Sequence, residues 1–131
     1  MPTAVNEFLR YAGIVRRVYR RATAPIELAG AVIQEGQRVA LMLASANRDP
    51  DVFPDPNHLD IARSSSASHL ALSAGRNSCV GVAAIRMALS VATRALLQRF
   101  SAVEVKKADQ WRLGSGFCFP TAVHIICHSR K

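Results

Sequence analysis

One cysteine in a glycine-bearing loop is the residue of this sequence best suited to chemistry. Cys79 lies near the end of the stretch Leu72–Gly81, with Gly75 and Gly81 on either side, and a long apolar run follows. A thiol at the first turn of a helix lies beside unpaired backbone N–H groups and the positive end of the helix dipole, which favour the thiolate. A thiolate can ligate a metal ion. The decapeptide alone leaves open a second interpretation, a buried structural cysteine after an ordinary loop.

A carboxylate and a guanidinium near the N-terminus form a second candidate group. Residues 3–12 predict a helix that Thr3 caps and Gly13 ends, and its spacing places Glu7 and Arg10 on one face. In an ordinary helix such a pair is solvated and stabilises by about 0.2–0.5 kcal/mol. The spacing by itself therefore predicts nothing more than a surface ion pair.

The elements between these two groups are short. β-branched runs predict small strands from Ile14 to Ala22 and from Ile26 to Ile33, the second with a turn at Gly30. Residues 38–46 predict a strand that becomes a helix before Asn47. Three prolines and four aspartates predict a turn-rich meander over Asn47–Arg63, tied to a core by its apolar residues. The serine-rich residues 64–68 are interpreted as a plain connector.

After Cys79 the sequence predicts one long helix and a β-rich tail. From Val82 to Leu97 apolar residues occupy most positions, and four polar residues recur every fourth position, which predicts a largely buried helix with a narrow polar stripe. A strand begins near Ala102, and the segment Trp111–Cys127 predicts one or two closing hairpins. The polar stripe consists of Arg86, Ser90, Arg94 and Gln98.

Composition and charge limit the function. The 131 residues are half apolar, enough for one ordinary domain, and carry a formal charge of +8 in which 14 of the 17 basic residues are arginine. Arginine favours partners with carboxylate or phosphate groups. Only 6% of residues are aromatic and the arginines are scattered, so we expect no nucleic-acid partner. The apolar run is too short and too charged to span a membrane, no secretory signal is visible, and a cytoplasmic location is expected.

The other potential metal ligands predict no site. The three cysteines are widely spaced without a CxxC pair, which argues against a disulfide framework and against structural zinc. His124 and His128 flank Cys127 on a strand-like tail, where a spacing of four does not place them cleanly on one face. His58 and His69 are interpreted as surface or packing residues.

Taken in order, these motifs resemble the C-terminal part of the bacterial cytochrome P450 enzymes, the haem-thiolate monooxygenases. Glu7-Phe8-Leu9-Arg10 resembles the ExxR helix of the family, Asn47–Arg63 resembles its meander, and Leu72–Gly81 resembles its haem-binding loop. The resemblance covers nearly the whole chain. It implies an α+β fold, mainly α, that comprises the C-terminal portion of the cytochrome P450 fold, with residues 1–131 as one truncated domain and no second domain.

The resemblance also implies roles for individual residues. Cys79 would be the proximal ligand of haem iron, and backbone N–H groups around it would keep the sulfur anionic. Arg20 would bind a haem propionate, since its guanidinium matches a carboxylate. The cofactor-binding loop would comprise Gly75, Arg76, Asn77, Cys79 and Gly81. Glu7, Arg10 and Arg63 would form a buried charge network beneath the haem rather than a surface pair.

Two positions depart from the pattern of the family. Leu72 replaces the phenylalanine that packs near the thiolate, and Asn77 replaces the basic residue two positions before the cysteine, for which Arg76 is a neighbouring substitute. Both changes are expected to weaken haem retention. The long distal helix of the family, with its acid-alcohol pair, does not occur in these residues, so we expect no competent monooxygenase from this chain alone.

The family implies partners and leaves alternatives open. Its members oxidise small apolar molecules with electrons from a ferredoxin-type donor, and the motifs here are most similar to bacterial members, rhizobial ones linked to terpenoid synthesis among them. The alternatives are a non-catalytic gene remnant, a small basic binding protein, and a chain that does not fold stably because the helix Val82–Leu97 lacks packing partners. The last alternative predicts a large exposed apolar patch.

Overall fold

The structure is a computed structural model, and it describes residues 1–114 and 116–130. The architecture mixes helices with short strands, and strands contain somewhat more of the described residues than the α-helices do. The elements in chain order are α1 (Pro2–Ala12), β1 (Val18–Arg21), β2 (Ile26–Leu28), β3 (Ala31–Ile33), β4 (Arg38–Leu41), α2 (Leu43–Ala46), α3 (Val82–Arg99), β5 (Phe100–Ala108), β6 (Trp111–Gly114), β7 (Phe117–Pro120) and β8 (Val123–Ser129), with short 3-10 helices at Ser64–Ser68 and Gly75–Asn77.

Helix α1 starts one residue earlier than the sequence predicts. The predicted cap at Thr3 is wrong, because Met1 is the N-cap residue, without a side-chain hydrogen bond, and Pro2 occupies the first helical position. Proline suits that position because its fixed φ is helical and its missing N–H would have no partner there. The helix ends before Gly13, as predicted. A Cβ at Gly13 would lie 2.7 Å from the Leu9 carbonyl oxygen and 3.0 Å from Ala71 Cβ, so the glycine permits close approach of a later segment.

The small strands form two antiparallel pairs. Strand β1 pairs with β4 in the register Val18↔Leu41, and the hairpin β2–β3 lies between them in sequence. The predicted turn at Gly30 is confirmed: Ala29 and Gly30 both have positive φ, at 50° and 78°, the combination of a tight hairpin turn that matches strand twist. Strand β4 continues directly into α2, which confirms the predicted change from strand to helix before Asn47.

The meander Asn47–Arg63 contains neither α-helix nor strand, and Phe53 within it is buried against the rest of the chain. The serine-rich segment after it is more than the plain connector that composition predicts. Residues 64–68 form a 3-10 helix, Ser66 is buried, and its hydroxyl donates a hydrogen bond to the Thr3 carbonyl oxygen at 3.4 Å. The segment therefore packs against the first turn of α1.

Helix α3 has no buried residue in the described chain. The prediction of a largely buried helix is therefore wrong for the described residues, whereas the predicted exposed apolar surface is present: Val91 is 62% exposed and Leu97 is 59% exposed. None of the helices in the described ranges has the length and hydropathy that crossing a bilayer requires. The tail forms a long pair of β5 with β8, and the predicted closing hairpin β6–β7 lies between them in sequence.

Candidate functional site

The ion pair on α1 is buried and bidentate. Arg10 donates from Nε and Nη2 to the two carboxylate oxygens of Glu7, both at 2.7 Å, and Arg63 Nε donates to Glu7 Oε1 at 3.2 Å. Glu7 is 0% exposed and Arg10 is 2% exposed. Two guanidinium groups thus share one carboxylate in the interior, where desolvation makes each group depend on its partners. The surface pair that an isolated helix would predict does not occur.

The same side chains bind the backbone of the meander. The remaining donors of Arg10 and Arg63 bond to backbone carbonyl oxygens of the meander, which is far from Arg10 in the sequence and ends at Arg63. Asp60 donates its backbone N–H to Glu7 Oε1 at 3.0 Å. The network therefore fixes the path of a segment that has no regular structure of its own. The carbonyl acceptors are Asn47, Pro56 and His58 for Arg10, and Pro54, Asp55 and His58 for Arg63.

The network lowers the pKa of Glu7 from 4.5 to about 2. Burial of the carboxyl acts in the opposite direction and raises its pKa, but hydrogen bonds from Arg10, from the Asp60 N–H and from Arg63 outweigh it, and the charge of Arg10 adds to them. Glu7 is consequently ionised throughout the range in which proteins are ordinarily stable.

Asn47 links this network to the cysteine loop. Its backbone carbonyl accepts the hydrogen bond of Arg10 at 2.8 Å, and its side-chain Oδ1 accepts one from the Leu70 N–H at 2.7 Å. The Leu70 carbonyl in turn accepts from the Ser73 N–H at 2.9 Å. Asn47 is 2% exposed. Sequence reasoning missed this residue, and its position at the start of the meander is the only local signal for it.

The loop that carries the cysteine is closed by one backbone bond. The Cys79 N–H donates to the Leu72 carbonyl oxygen at 2.9 Å, and Gly75, with φ of 67°, starts a 3-10 turn within the loop. The thiol is free and half-buried, and a Cβ at Gly81 would lie 3.6 Å from its sulfur. Arg76 and Asn77 are exposed. The loop therefore presents one sulfur and an open surface.

The structure does not join the other predicted site residues by hydrogen bonds in the described ranges. Arg20 lies on β1, paired with Val39, and its exposed guanidinium donates only to the Tyr19 carbonyl oxygen at 2.8 Å. Arg20 and Arg76 take part in no ion pair within the described chain, so both guanidinium groups are available to an anion.

The histidines divide into buried and exposed. His69 is buried: its Nδ1 accepts the Ala71 N–H at 3.2 Å and its Nε2 has no partner among the described residues, while burial and then the charge of Arg86 lower its pKa. Of the two interpretations that the sequence allows for His69, surface or packing residue, the structure supports packing. His124 and His128 lie beside different carboxylates, those of Asp109 at 3.5 Å and Glu104 at 3.2 Å.

Comparison with known proteins identifies the family. The sequence model of the family Cytochrome P450 matches residues 1–127. The chain belongs to the cytochrome P450 family. It is 41% identical over 111 residues to the putative cytochrome P450 140 of Mycobacterium tuberculosis, and the matched region covers 85% of this chain and 25% of that protein. It is 44% identical over 97 residues to the cytochrome P450 monooxygenase PikC of Streptomyces venezuelae, covering 73% of this chain and 23% of PikC.

Solved P450 structures show the same fold. The structure of P450BioI in complex with an acyl carrier protein ligated to hexadec-9Z-enoic acid matches with a TM-score of 0.91 and 32% identity, over 97% of this chain and 33% of that one. The CYP116B5 heme domain of Acinetobacter radioresistens matches with a TM-score of 0.92 and 28% identity, over 97% and 31%. The prediction of an α+β fold from the C-terminal part of a P450 is confirmed. The chain spans about a quarter of the length of its curated P450 relatives and about a third of the solved ones.

Haem with a thiolate ligand is the cofactor of this family, so the prediction that the cofactor is haem is confirmed for the family. The residues of this chain fit such a group. Among the described residues the Cys79 sulfur forms no disulfide and accepts no hydrogen bond. The loop residues 74–78 beside it are exposed, and Gly81 leaves space against the sulfur. The guanidinium groups of Arg20 and Arg76, which form no ion pair within the described residues, suit the two carboxylates that haem carries.

Proposed function

We propose that this chain is the haem-binding C-terminal part of a bacterial P450 monooxygenase, with Cys79 as the axial ligand. The observation that carries the proposal is the placement of one free, half-buried thiol at the end of an exposed loop, directly before the long helix α3. The loop is closed by the bond from the Cys79 N–H to the Leu72 carbonyl, and Asn47 connects its base to a buried charge network. This arrangement holds the sulfur at a fixed point of the fold.

Each site residue has one role in this proposal. Cys79 supplies the thiolate, and Arg20 and Arg76 bind the propionates through charge-assisted hydrogen bonds. Gly75 and Gly81 shape the loop, the first through its positive φ and the second through the space it leaves beside the sulfur. Asn77 donates its side-chain amide where family members have a basic residue. Glu7, Arg10 and Arg63 keep the meander in place.

Haem held by the Cys79 thiolate would supply activation of molecular oxygen for insertion into a C–H bond. The residues of this chain contribute the ligand, its orientation and the charges that hold the propionates. We propose that these 131 residues by themselves bind haem without catalysing monooxygenation, because they span about a quarter of the length of their monooxygenase relatives.

The substrate and the electron donor are proposed from the family and from charge. PikC is named a monooxygenase, and P450BioI was solved with a fatty acyl group on its carrier protein. We propose a small apolar substrate, a terpenoid being one such class, and a ferredoxin-type donor. The formal charge of +8 supports an acidic protein as the electron donor, since opposite charges accelerate and orient docking.

A haem titration tests the assignment of Cys79. The purified chain is titrated with haem, reduced and exposed to carbon monoxide, and the difference spectrum is recorded in the Soret region. Cys79→Ala should abolish the red-shifted band that is diagnostic of a thiolate ligand. Cys118→Ala, which removes another half-buried free thiol, is the matched control and should leave the band unchanged. A thiolate-type band that persists in Cys79→Ala, or its absence from the unaltered chain, contradicts the proposal.

A further inference from the structure

The segment between α1 and β1 is clamped by backbone bonds on two sides. On one side the Arg16 N–H donates to the Gly116 carbonyl oxygen at 2.6 Å and the Cys118 N–H donates to the Ile14 carbonyl oxygen at 2.9 Å. On the other side the Arg16 carbonyl accepts the Ala44 N–H at 3.0 Å, next to the start of α2. The main chain of the segment is thus fixed, while Ile14, Arg16 and Arg17 are exposed to solvent.

Gly116 makes the contact between the segment and the hairpin β6–β7 close. It is buried, its φ is 116°, and a Cβ there would lie 2.6 Å from the Arg17 carbonyl oxygen. Any other residue would therefore be strained and would push the two backbones apart. The cleft that results is part of the fold rather than a gap between loosely placed loops.

This cleft has a volume of about 460 Å³ and an amphipathic lining. Met42, Leu113 and Phe117 contribute apolar side chains, each at least half exposed, and Arg16 and Arg17 contribute guanidinium groups. Such a volume lies in the usual range for small-molecule sites. None of the residues that line the cleft belongs to the loop 72–81.

The two arginines have no anionic partner in the described part of the chain. Neither takes part in an ion pair there, and none of the residues that line the cleft carries a carboxylate. The Cζ of Arg17 lies 5.8 Å from the centroid of the Tyr19 ring, and the Arg17 guanidinium makes no hydrogen bond to the described residues. A guanidinium group binds carboxylate and phosphate oxygens in pairs, because its planar fork matches their geometry.

We infer that this cleft binds an apolar molecule that carries one oxyanion group, a carboxylate or a phosphate. The anionic group pairs with Arg16 and Arg17, and the apolar body covers Met42, Leu113 and Phe117. The inference that this molecule is the substrate rests on the proposed function, and it narrows the substrate class from small apolar molecules to amphiphilic anions. Binding of the anion itself depends only on the cleft.

Isothermal titration of the chain with three probes of equal length tests the inference. Decanoate, monodecyl phosphate and decanol are titrated below the concentrations at which they form micelles. Both anions should bind at least roughly tenfold more tightly than decanol, the discrimination expected of one charge-assisted contact. Preference for one anion over the other identifies which oxyanion the cleft accommodates better.

Matched variants locate the site. The double variant R16Q/R17Q should lose the roughly tenfold preference for decanoate over decanol, whereas R94Q/R112Q removes the same charge elsewhere and should keep it. Arg112 precedes Leu113 on β6, so its side chain points to the opposite face of the strand. Equal affinity for decanoate and decanol in the unaltered chain, or an unchanged preference in R16Q/R17Q, overturns the inference. If the unaltered chain prefers decanoate over decanol but does not take up haem, the proposed role of Cys79 is contradicted, and the cleft is still an oxyanion site.

Discussion

The polar interior beneath the meander and the surface around α3 are opposites in this molecule. In the first region charged side chains are buried and every one of them is paired: Glu7, Arg10 and Arg63 share hydrogen bonds and ion pairs with one another and with meander carbonyls. In the second region apolar side chains are exposed, and α3 has no buried residue in the described chain. Proteins usually bury apolar residues and expose charged ones, and each of these two regions departs from that rule in its own way.

This reversal separates what holds the chain together from what it presents to other molecules. The buried network joins α1 to the meander and, through Asn47, to the base of the cysteine loop. The apolar surface of α3 begins directly after that loop. The stability of the chain is therefore expected to depend on a few buried charged residues. Its association with a cofactor or with further parts of the fold is expected to depend on exposed residues.

Removal of Arg10 is expected to have the largest effect on this comparison. Arg10→Ala leaves the Glu7 carboxylate buried with one partner fewer and should lower the free energy of unfolding by about 3–5 kcal/mol, measured by urea denaturation followed by circular dichroism. Arg10→Lys keeps the charge without the bidentate fork, so its free energy of unfolding should lie between those of the unaltered chain and Arg10→Ala. The control is Arg94→Ala, an exposed arginine on α3. A loss below about 1 kcal/mol in Arg10→Ala would show that the network does not stabilise the fold.

Acid should weaken the buried region over a defined range. The pKa of Glu7 is lowered to about 2 in the folded chain, so its contribution to stability is complete above its unfolded value of 4.5 and is lost as the pH falls from there through 2. The shift corresponds to about 3 kcal/mol. Urea midpoints measured between pH 6 and pH 2 should fall accordingly. Glu7→Gln should flatten this dependence, and an equally steep fall in that variant would assign the acid sensitivity to other carboxylates.

Local signals predicted several elements, and the remaining ones depend on long-range contacts. The turn at Gly30 and the end of α1 at Gly13 follow from the backbone freedom of glycine, so each could be predicted from the glycine and its neighbours in the sequence. The resemblance placed Arg63 next to Glu7, 56 residues away, which no local pattern could do. The burial of Ser66 and the two bonds of Asn47 escaped prediction because they form only when the meander folds back onto α1.

The prediction for α3 failed for a different physical reason. A periodic pattern of apolar residues reports the burial of a helix against all its partners in the complete fold. The described residues cover about a third of the solved P450 chains, and they do not include elements that cover Val91 or Leu97. The sequence therefore predicted the character of the helix surface correctly and its burial in this chain wrongly.

The link through Asn47 is expected to have a moderate effect that is confined to one loop. Asn47→Ala leaves the partly buried Leu70 N–H without its acceptor and should cost about 1 kcal/mol of stability. It should also accelerate alkylation of Cys79, measured by mass spectrometry, more than that of Cys118 in the same molecule. Asn47→Asp keeps an acceptor oxygen and should restore both values. Equal acceleration at the two thiols would indicate general unfolding and would remove Asn47 as a specific link.

Polar substitutions on α3 are expected to have the smallest effect on stability and to define the other half of the comparison. Val91→Gln and Leu97→Gln replace exposed apolar side chains, so the free energy of unfolding should change by less than about 0.5 kcal/mol, while self-association in sedimentation velocity should decrease. Val5→Ala on α1 provides the contrast, because Val5 is 1% exposed and its truncation creates a cavity. If the glutamine variants destabilise the chain as much as Val5→Ala does, the surface of α3 is packed in solution, and the two regions differ less than their exposure indicates.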